Sequence, residues 1–282
     1  MEEKVITNRL MELLDVAQEA ATLGYLTALS SSVDVVKADL SVHDNTTVAD
    51  ISAADKIVSV LGNKTPEISV LIEEGIEEDK WKYIKRFMKK NSTYWVVDPI
   101  DGSTNRKNGQ FFWGVSVCLV VDNVPTLAAV AYPRLGSLNP NLMTGLCAKD
   151  EKFLLLNGVL QPRIDTLNKG IWYAKIAYDA SYIAEDTTEV LKIIYELRDA
   201  FETHSPCQGS QVVTGVNVAL GNLDAHITFH AMPWDIAAAL VFLKIVGGEA
   251  LEWGTWKKAT IASFKVVYGV PSVVREIVEH FK

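Results

Sequence analysis

The chain has 282 residues, a formal net charge of −8, 49% hydrophobic residues and three cysteines. That length makes one large domain or two smaller ones, with ample apolar material for a packed core. The acidic balance, with no Lys/Arg cluster longer than a pair, excludes a nucleic-acid backbone or an anionic membrane as main partner and leaves small molecules and divalent cations.

The N-terminus, MEEKVITNRLMELLDVAQEA, is acidic at its start and amphipathic, unlike a secretory signal or an Arg-rich transit peptide, and the longest apolar runs are too short for a bilayer. Over residues 5–29, Leu10, Leu13, Leu14, Ala17, Ala20, Ala21 and Gly24 recur at helical spacing and predict a long amphipathic helix. A polar stretch, 30–47, interrupts the pattern. A second helix follows, marked by Ile51, Ala54, Val58 and Leu61, with Gly62 and Asn63 as its stop. ISVLI (68–72) reads as a strand closed by Glu73 and Glu74, residues 80–90 as a basic amphipathic helix, and YWVVD (94–98) as a second strand. Residues 112–132 read as two strands joined by a turn at 122–125.

RLGSLNPNLMTG (134–145) is rich in loop formers and marks a junction between an N-terminal α+β half, 1–140, and a C-terminal α/β half, 141–282. In the second half, 170–178, 190–201, 212–220 and 237–246 alternate between strand-like and helix-like patterns, as an α/β layer set would. Cys118, Cys147 and Cys207 are an odd number at wide spacings, which fits neither a disulfide framework nor a zinc site; they read as reduced thiols in a cytoplasmic protein.

WVVDPIDGSTN (95–105) carries the chemistry. Pro99 holds Asp98 extended at the strand end, Gly102 permits a sharp turn, and Ser103 or Thr104 suits a helix N-cap. A strand, a turn and a helix start would point Asp98, Asp101 and several backbone N–H groups into one small volume, where carboxylates hold a hard cation such as Mg²⁺ and N–H groups hold a phosphate oxygen. Taken alone, the same residues also make an ordinary turn with Asp side chains on local N–H groups. Likewise Glu73 and Glu74 alone read as solvated charge, and Asp235 alone as an N-cap of the helix that Gly247 and Gly248 terminate.

Together, SVLIEE, WVVDPIDGSTN and HxxPWDIAAALVFLKIVGG (from His230) resemble, in this order, the signature elements of the inositol monophosphatase family of lithium-sensitive, magnesium-dependent sugar-phosphate phosphatases. Asp98 to Ser103 match the family's Asp-Pro-Ile/Leu-Asp-Gly-Thr/Ser at every position, and Trp234 to Ala237 with Gly247-Gly248 match its C-terminal motif. Weaker matches run through KAD (37–39), VAD (48–50) and GSQVVTGVNVALGNLDAHI (209–227). Four departures stand out: Ile72 replaces a usual Gly, Ser103 a commoner Thr, Arg106 a usual aromatic residue, and the glycine-rich turn before LNG (156–158) is missing.

The resemblance implies a layered αβαβα sandwich with the metal site between the two halves, two or three Mg²⁺ ions, and the homodimer usual in the family. It implies that Glu73, Asp98 and the Ile100 carbonyl bind one ion and that Asp98, Asp101 and Asp235 bind a second, with a weaker third near Glu73. Glu73 and the Ser103 hydroxyl would hold the nucleophilic water, Asp50 would orient that hydroxyl, and the N–H groups of Gly102 and Ser103 would bind phosphate. Thr104, Gly209, Ser210 and Thr228 would complete the substrate side; Thr228 stands where inositol phosphatases carry a Glu that accepts ring hydroxyls, which predicts broad or shifted specificity. The implied reaction is hydrolysis of inositol monophosphate or a related sugar phosphate. The rivals are a nucleotidase acting on adenosine 3′,5′-bisphosphate, fructose-1,6-bisphosphatase activity, and a non-catalytic metal or phosphate binder. Thr104-Asn105 and Val213 are unlike the nucleotidases, whereas SVLIEEGIEED is like them. The five scattered histidines and the cysteines take no part, Cys118 reads as core, and Trp95, Trp113 and Trp234 read as packing residues beside the site.

Overall fold

The computed structural model describes residues 2–39, 44–76, 79–149, 151–165, 169–179 and 184–282; His43, Glu77 and Glu78 lie outside them. In chain order the elements are α1 (Glu2–Ser30), β1 (Val35–Asp39), β2 (Asp44–Thr47), α2 (Val48–Lys64), β3 (Ser69–Ile72), α3 (Lys80–Lys90), β4 (Thr93–Asp101), α4 (Ser103–Lys107), β5 (Gly114–Val121) and β6 (Val124–Arg134). They continue with β7 (Ser137–Cys147), β8 (Lys152–Leu156), β9 (Val159–Leu160), β10 (Ile176–Asp179), α5 (Ala184–Phe201), α6 (Gln211–Ala219), β11 (Ala225–Phe229), α7 (Pro233–Val246), β12 (Glu249–Glu252), β13 (Lys265–Gly269) and α8 (Pro271–Phe281).

A seven-stranded sheet runs β3-β4-β5-β6-β7-β8-β9, with β3 and β4 parallel and the remaining neighbours antiparallel. Its central strands are apolar on both faces. Trp95, Val97, Val117 and Leu119 pack with Leu14, Ala17, Ala21 and Ile57 of α1 and α2, while Tyr94, Val96, Cys118 and Val120 face the other way and join the core of α7. A four-stranded sheet, β10-β11-β13-β12, lies beyond α6 and α7 and carries α5 and α8 on its far side. The layers are therefore helix, sheet, helix, sheet, helix, as expected. Such continuous apolar runs are what strands covered on both faces require.

Several elements differ from their sequence reading. The predicted loop 134–145 belongs to a hairpin: β6 and β7 pair across Leu135 and Gly136, and Pro140 sits where the register shifts, so its missing N–H leaves no gap in a regular ladder. The chain leaves the first sheet after Leu160 and enters the second at Ile176. Helix α2 passes through Gly62 and Asn63 and ends at Lys64. Part of the polar stretch after α1 forms the antiparallel pair β1–β2.

Arg106 fills the family's aromatic position with a different interaction. Its guanidinium lies 5.6 Å from the Trp113 ring centroid and donates to the Ala28 and Ser31 carbonyls, closing the C-terminal end of α1, whose last turn has no basic residue. Trp113 in turn stacks on Tyr25 of α1. Trp95, Trp113 and Trp234 are all buried, as are Cys118 and Cys147; Cys207 is exposed, and none of the three cysteines is in a disulfide. Among the described residues no helix is long and apolar enough to cross a membrane.

Candidate active site

Asp98 and Asp101 are three apart, a spacing that in a regular strand points side chains to opposite faces. Strand β4 does not end at Asp98 but continues extended through Pro99 and Ile100 to Asp101, with an irregularity: Asp98 pairs with Ser116 and Asp101 with Gly114, so three steps on β4 oppose two on β5. The extra residue turns both carboxylates toward the same side. Gly102 follows at φ 84 as the N-cap of α4, where a Cβ would lie 2.7 Å from the Phe112 carbonyl oxygen; Ser103 is the first helical residue and not the cap.

Asp235 comes from the opposite side. It occupies the third position of α7, behind an N-cap at Met232 and a proline at the first position, and the Met232 N–H donates to its Oδ2 at 2.7 Å. Asp98, Asp101 and Asp235 each bring a carboxylate oxygen within 4.8 Å of the others. Glu73, at the end of β3 beside β4, adds the charge that bears most strongly on Asp98 after burial itself. Burial and these like charges raise the pKa of Asp98 and of Asp235 well above the carboxylate range. Burial also pushes Asp101 up to about 7, against the hydrogen bonds that it accepts.

Those bonds come from the start of α6. Ser210 donates its hydroxyl to Asp101 Oδ2, the Val212 N–H donates to the same oxygen at 2.7 Å, and Gln211 Nε2 donates to Asp235 Oδ2 at 3.3 Å. Three consecutive residues thus grip two of the carboxylates. Asp98 differs: both its oxygens are buried and neither has a hydrogen-bond partner among the described residues. A naked buried carboxylate among like charges is costly unless a cation joins it, and an all-oxygen donor set suits Mg²⁺. These residues fit a hard divalent ion.

The remaining sequence-derived residues divide into two groups. Asp50, in the first turn of α2, accepts from Thr47 N–H at 2.8 Å and from the Thr47 hydroxyl, and Ser103 Oγ lies 2.6 Å from its Oδ1 and 2.9 Å from the Ile100 carbonyl oxygen. Gly102, Ser103 and the exposed Thr104 directly follow Asp101, at the start of α4. The exposed Gly209 is anchored through its carbonyl, which accepts from Asn105 Nδ2 at 3.2 Å, as the Gln208 carbonyl does at 2.8 Å. Ser210 and Thr228, by contrast, are buried. Ser210 caps α6 and serves Asp101, and the Thr228 hydroxyl donates to Gln211 Oε1 at 2.7 Å. Behind Thr228 the wholly buried His226 lies 2.7 Å from Asp179 Oδ2 through Nε2 and 2.7 Å from the Tyr268 hydroxyl through Nδ1. Gln211 and this buried array escaped the sequence reading. The polar pair His226 and Thr228, two apart in the strand AHITF, is the signal that placed them on one face.

The model of the inositol monophosphatase family matches residues 7–278, nearly the entire chain. The chain belongs to the inositol monophosphatase family. A Dictyostelium discoideum inositol monophosphatase is 25% identical over 240 residues, 83% of this chain and 81% of the relative. A Thermotoga maritima fructose-1,6-bisphosphatase/inositol-1-monophosphatase is 25% identical over 263 residues, 88% of this chain and 89% of the relative. Among solved structures, the extragenic suppressor protein suhB of Bartonella henselae superposes with a TM-score of 0.79 at 19% identity, over 96% of this chain and 98% of that one. The protein is a phosphomonoesterase of this family, and the acidic cluster is consistent with the metal site of a metal-dependent enzyme.

Proposed function

We propose that the protein hydrolyses a small phosphate monoester, inositol monophosphate or a related sugar phosphate, with Mg²⁺ held by Glu73, Asp98, the Ile100 carbonyl, Asp101 and Asp235. The observation that carries the reading is the pair of buried, unpartnered Asp98 oxygens facing Asp101 and Asp235. Bound there, Mg²⁺ supplies neutralisation of phosphate charge and a lowered pKa for attacking water. The chain's own residues do the rest. Ser103 directs its one proton at Asp50 and the Ile100 carbonyl, which leaves hydroxyl lone pairs to accept from the attacking water. Glu73 is the second acceptor for that water. The Gly102 and Ser103 N–H groups and Thr104 hold the phosphoryl oxygens, and Gly209 borders the alcohol side. Ser210 acts through Asp101 and Thr228 through Gln211, so both influence substrate only indirectly.

Lithium sensitivity, a homodimer and a cytoplasmic location belong to the same proposal. One observation favours the nucleotidase as a second reading. A cleft of about 660 Å³ adjoins Asn105 and Gly209 and is walled by Phe111 and Phe112, which are 54% and 44% exposed and offer faces for a base. The test is phosphate release from inositol phosphates, sugar phosphates, fructose 1,6-bisphosphate and adenosine 3′,5′-bisphosphate, with and without Mg²⁺. Inositol 1-phosphate should be turned over without strong preference over other small monoesters. Strong selectivity for the nucleoside bisphosphate would put the second reading first.

A further inference from the structure

The start of α6 and the strand β11 bring three polar side chains to the carboxylate cluster, and two of them are fully committed. Ser210 and Thr228 are 1% and 0% exposed, and their hydroxyl protons go to Asp101 Oδ2 and Gln211 Oε1. Gln211, the first residue of α6, is partly exposed. Its amide is held at both ends: Nε2 donates to Asp235 Oδ2 at 3.3 Å, and Oε1 accepts from the Thr228 hydroxyl at 2.7 Å. An ionised Asp235 only accepts, so the amide nitrogen faces it and the amide oxygen faces Thr228, and a flip would lose both bonds. A side-chain amide carries two N–H donors and two acceptor lone pairs. These bonds use one of each, and among the described residues no other hydrogen bond reaches the amide. One donor and one acceptor, fixed in direction, are left over beside Asp235.

We infer that Gln211 is a specificity-determining residue that reads a hydroxyl next to the ester oxygen of the substrate's alcohol. The inference rests on the phosphatase reading and narrows its substrate class to monoesters of polyols, in which a second hydroxyl accompanies the ester. A hydroxyl both donates and accepts, so whichever way it is turned it meets either the spare lone pair or the spare N–H of Gln211. A carboxylate in this place would take hydroxyl protons only. The neutral amide carries no charge with which to favour one polyol over another, so it senses that a hydroxyl is present and not which ring or chain bears it. Thr228 is then a positioning residue, because its buried hydroxyl fixes which end of the amide faces Asp235.

The test compares kcat/KM of the full-length protein, with Mg²⁺, on 2-hydroxycyclohexyl phosphate, as cis and trans isomers, and on cyclohexyl phosphate, which lacks that one hydroxyl. Wild type should favour at least one hydroxylated isomer about three- to tenfold, the range of one neutral hydrogen bond, and Gln211→Met should bring the ratio to about one. Any disturbance of Asp235 falls on both esters and cancels in the ratio, so a purely structural role of Gln211 would leave it unmoved. Met matches Gln in length and helix propensity, and Gln211→Leu replaces it if it folds poorly. Thr228→Val frees the amide oxygen and should move the ratio the same way by a smaller amount, whereas Thr228→Ser keeps the hydroxyl and should keep the ratio. A wild type without preference for either hydroxylated isomer overturns the inference, as does an unchanged ratio in the Gln211 variants. In those cases phosphate release by the wild type leaves the phosphatase reading intact, whereas a wild type that releases phosphate from no monoester brings down both.

Discussion

The hydroxyl proton of Ser103 is already directed inward, toward Asp50 and the Ile100 carbonyl. If the outward lone pairs position the attacking water, Ser103→Ala lowers kcat by at least about tenfold and leaves KM within about twofold, because the lost contact belongs to the transition state. Steady-state kinetics on inositol 1-phosphate separates the two parameters. An effect confined to KM would make Ser103 a phosphate-binding residue. The resemblance pointed to this serine and to Asp50, but not to how Ser210 and Thr228 act. The resemblance implies a substrate-side role for both; in the fold Ser210 donates to Asp101, and Thr228 donates to Gln211, which donates in turn to Asp235. Sequence alignment compares positions, whereas a buried hydroxyl is defined by the donor or acceptor folded against it.

At the scale of elements, the grip on Asp101 and Asp235 depends on how closely α6 approaches α7. Gly215 makes that approach possible, since a Cβ there would lie 2.7 Å from the Ala239 Cβ. Gly215→Ala should destabilise the protein by about 1–3 kcal/mol through overpacking and weaken Mg²⁺ binding as Ser210, Gln211 and Val212 shift. Adding Ala239→Gly should recover part of both losses. Urea denaturation and metal titration of the single and double variants check this coupling, and strictly additive losses would contradict it. Periodicity made such helices legible: residues 80–90 were predicted as a helix and form α3. It failed at 134–145, where Gly, Pro, Asn and Ser mimic a loop although β6 supplies the pairing that makes β7 a strand. Nor did local turn chemistry reveal the β4 irregularity, which is a mismatch between two strands and has no signature in either one.

Across the whole molecule, the two halves of the chain bring like charges together, and the protein's stability should record it. Asp98 and Asp235 have raised pKa values and Asp101 titrates at about 7, all above the ordinary value near 4 that the unfolded chain keeps. Between about pH 4 and 7 the metal-free native state therefore holds more protons than the unfolded state. The contribution of these groups is fully present at the acidic end and is lost as pH rises through 7. Mg²⁺ and protons compete for the same oxygens, so Mg²⁺ should raise Tm more at pH 8 than at pH 5. Thermal unfolding of chelator-treated protein with and without Mg²⁺ measures the increment, and an equal or larger increment at pH 5 would contradict the assignment. Only the family resemblance brought Glu73, Asp98, Asp101 and Asp235 together before the fold did, since no local spacing joins residues on β3, β4 and α7.

Asp98 is the group on which the account turns, because its two buried oxygens have no hydrogen-bond partner among the described residues. The most direct measurement is Mg²⁺-dependent phosphate release by Asp98→Asn beside the wild type, with circular dichroism on both. Wild-type turnover that requires Mg²⁺, and a folded Asp98→Asn that loses more than about a hundredfold of it, is the predicted result. A folded Asp98→Asn with near wild-type, Mg²⁺-dependent turnover would contradict it.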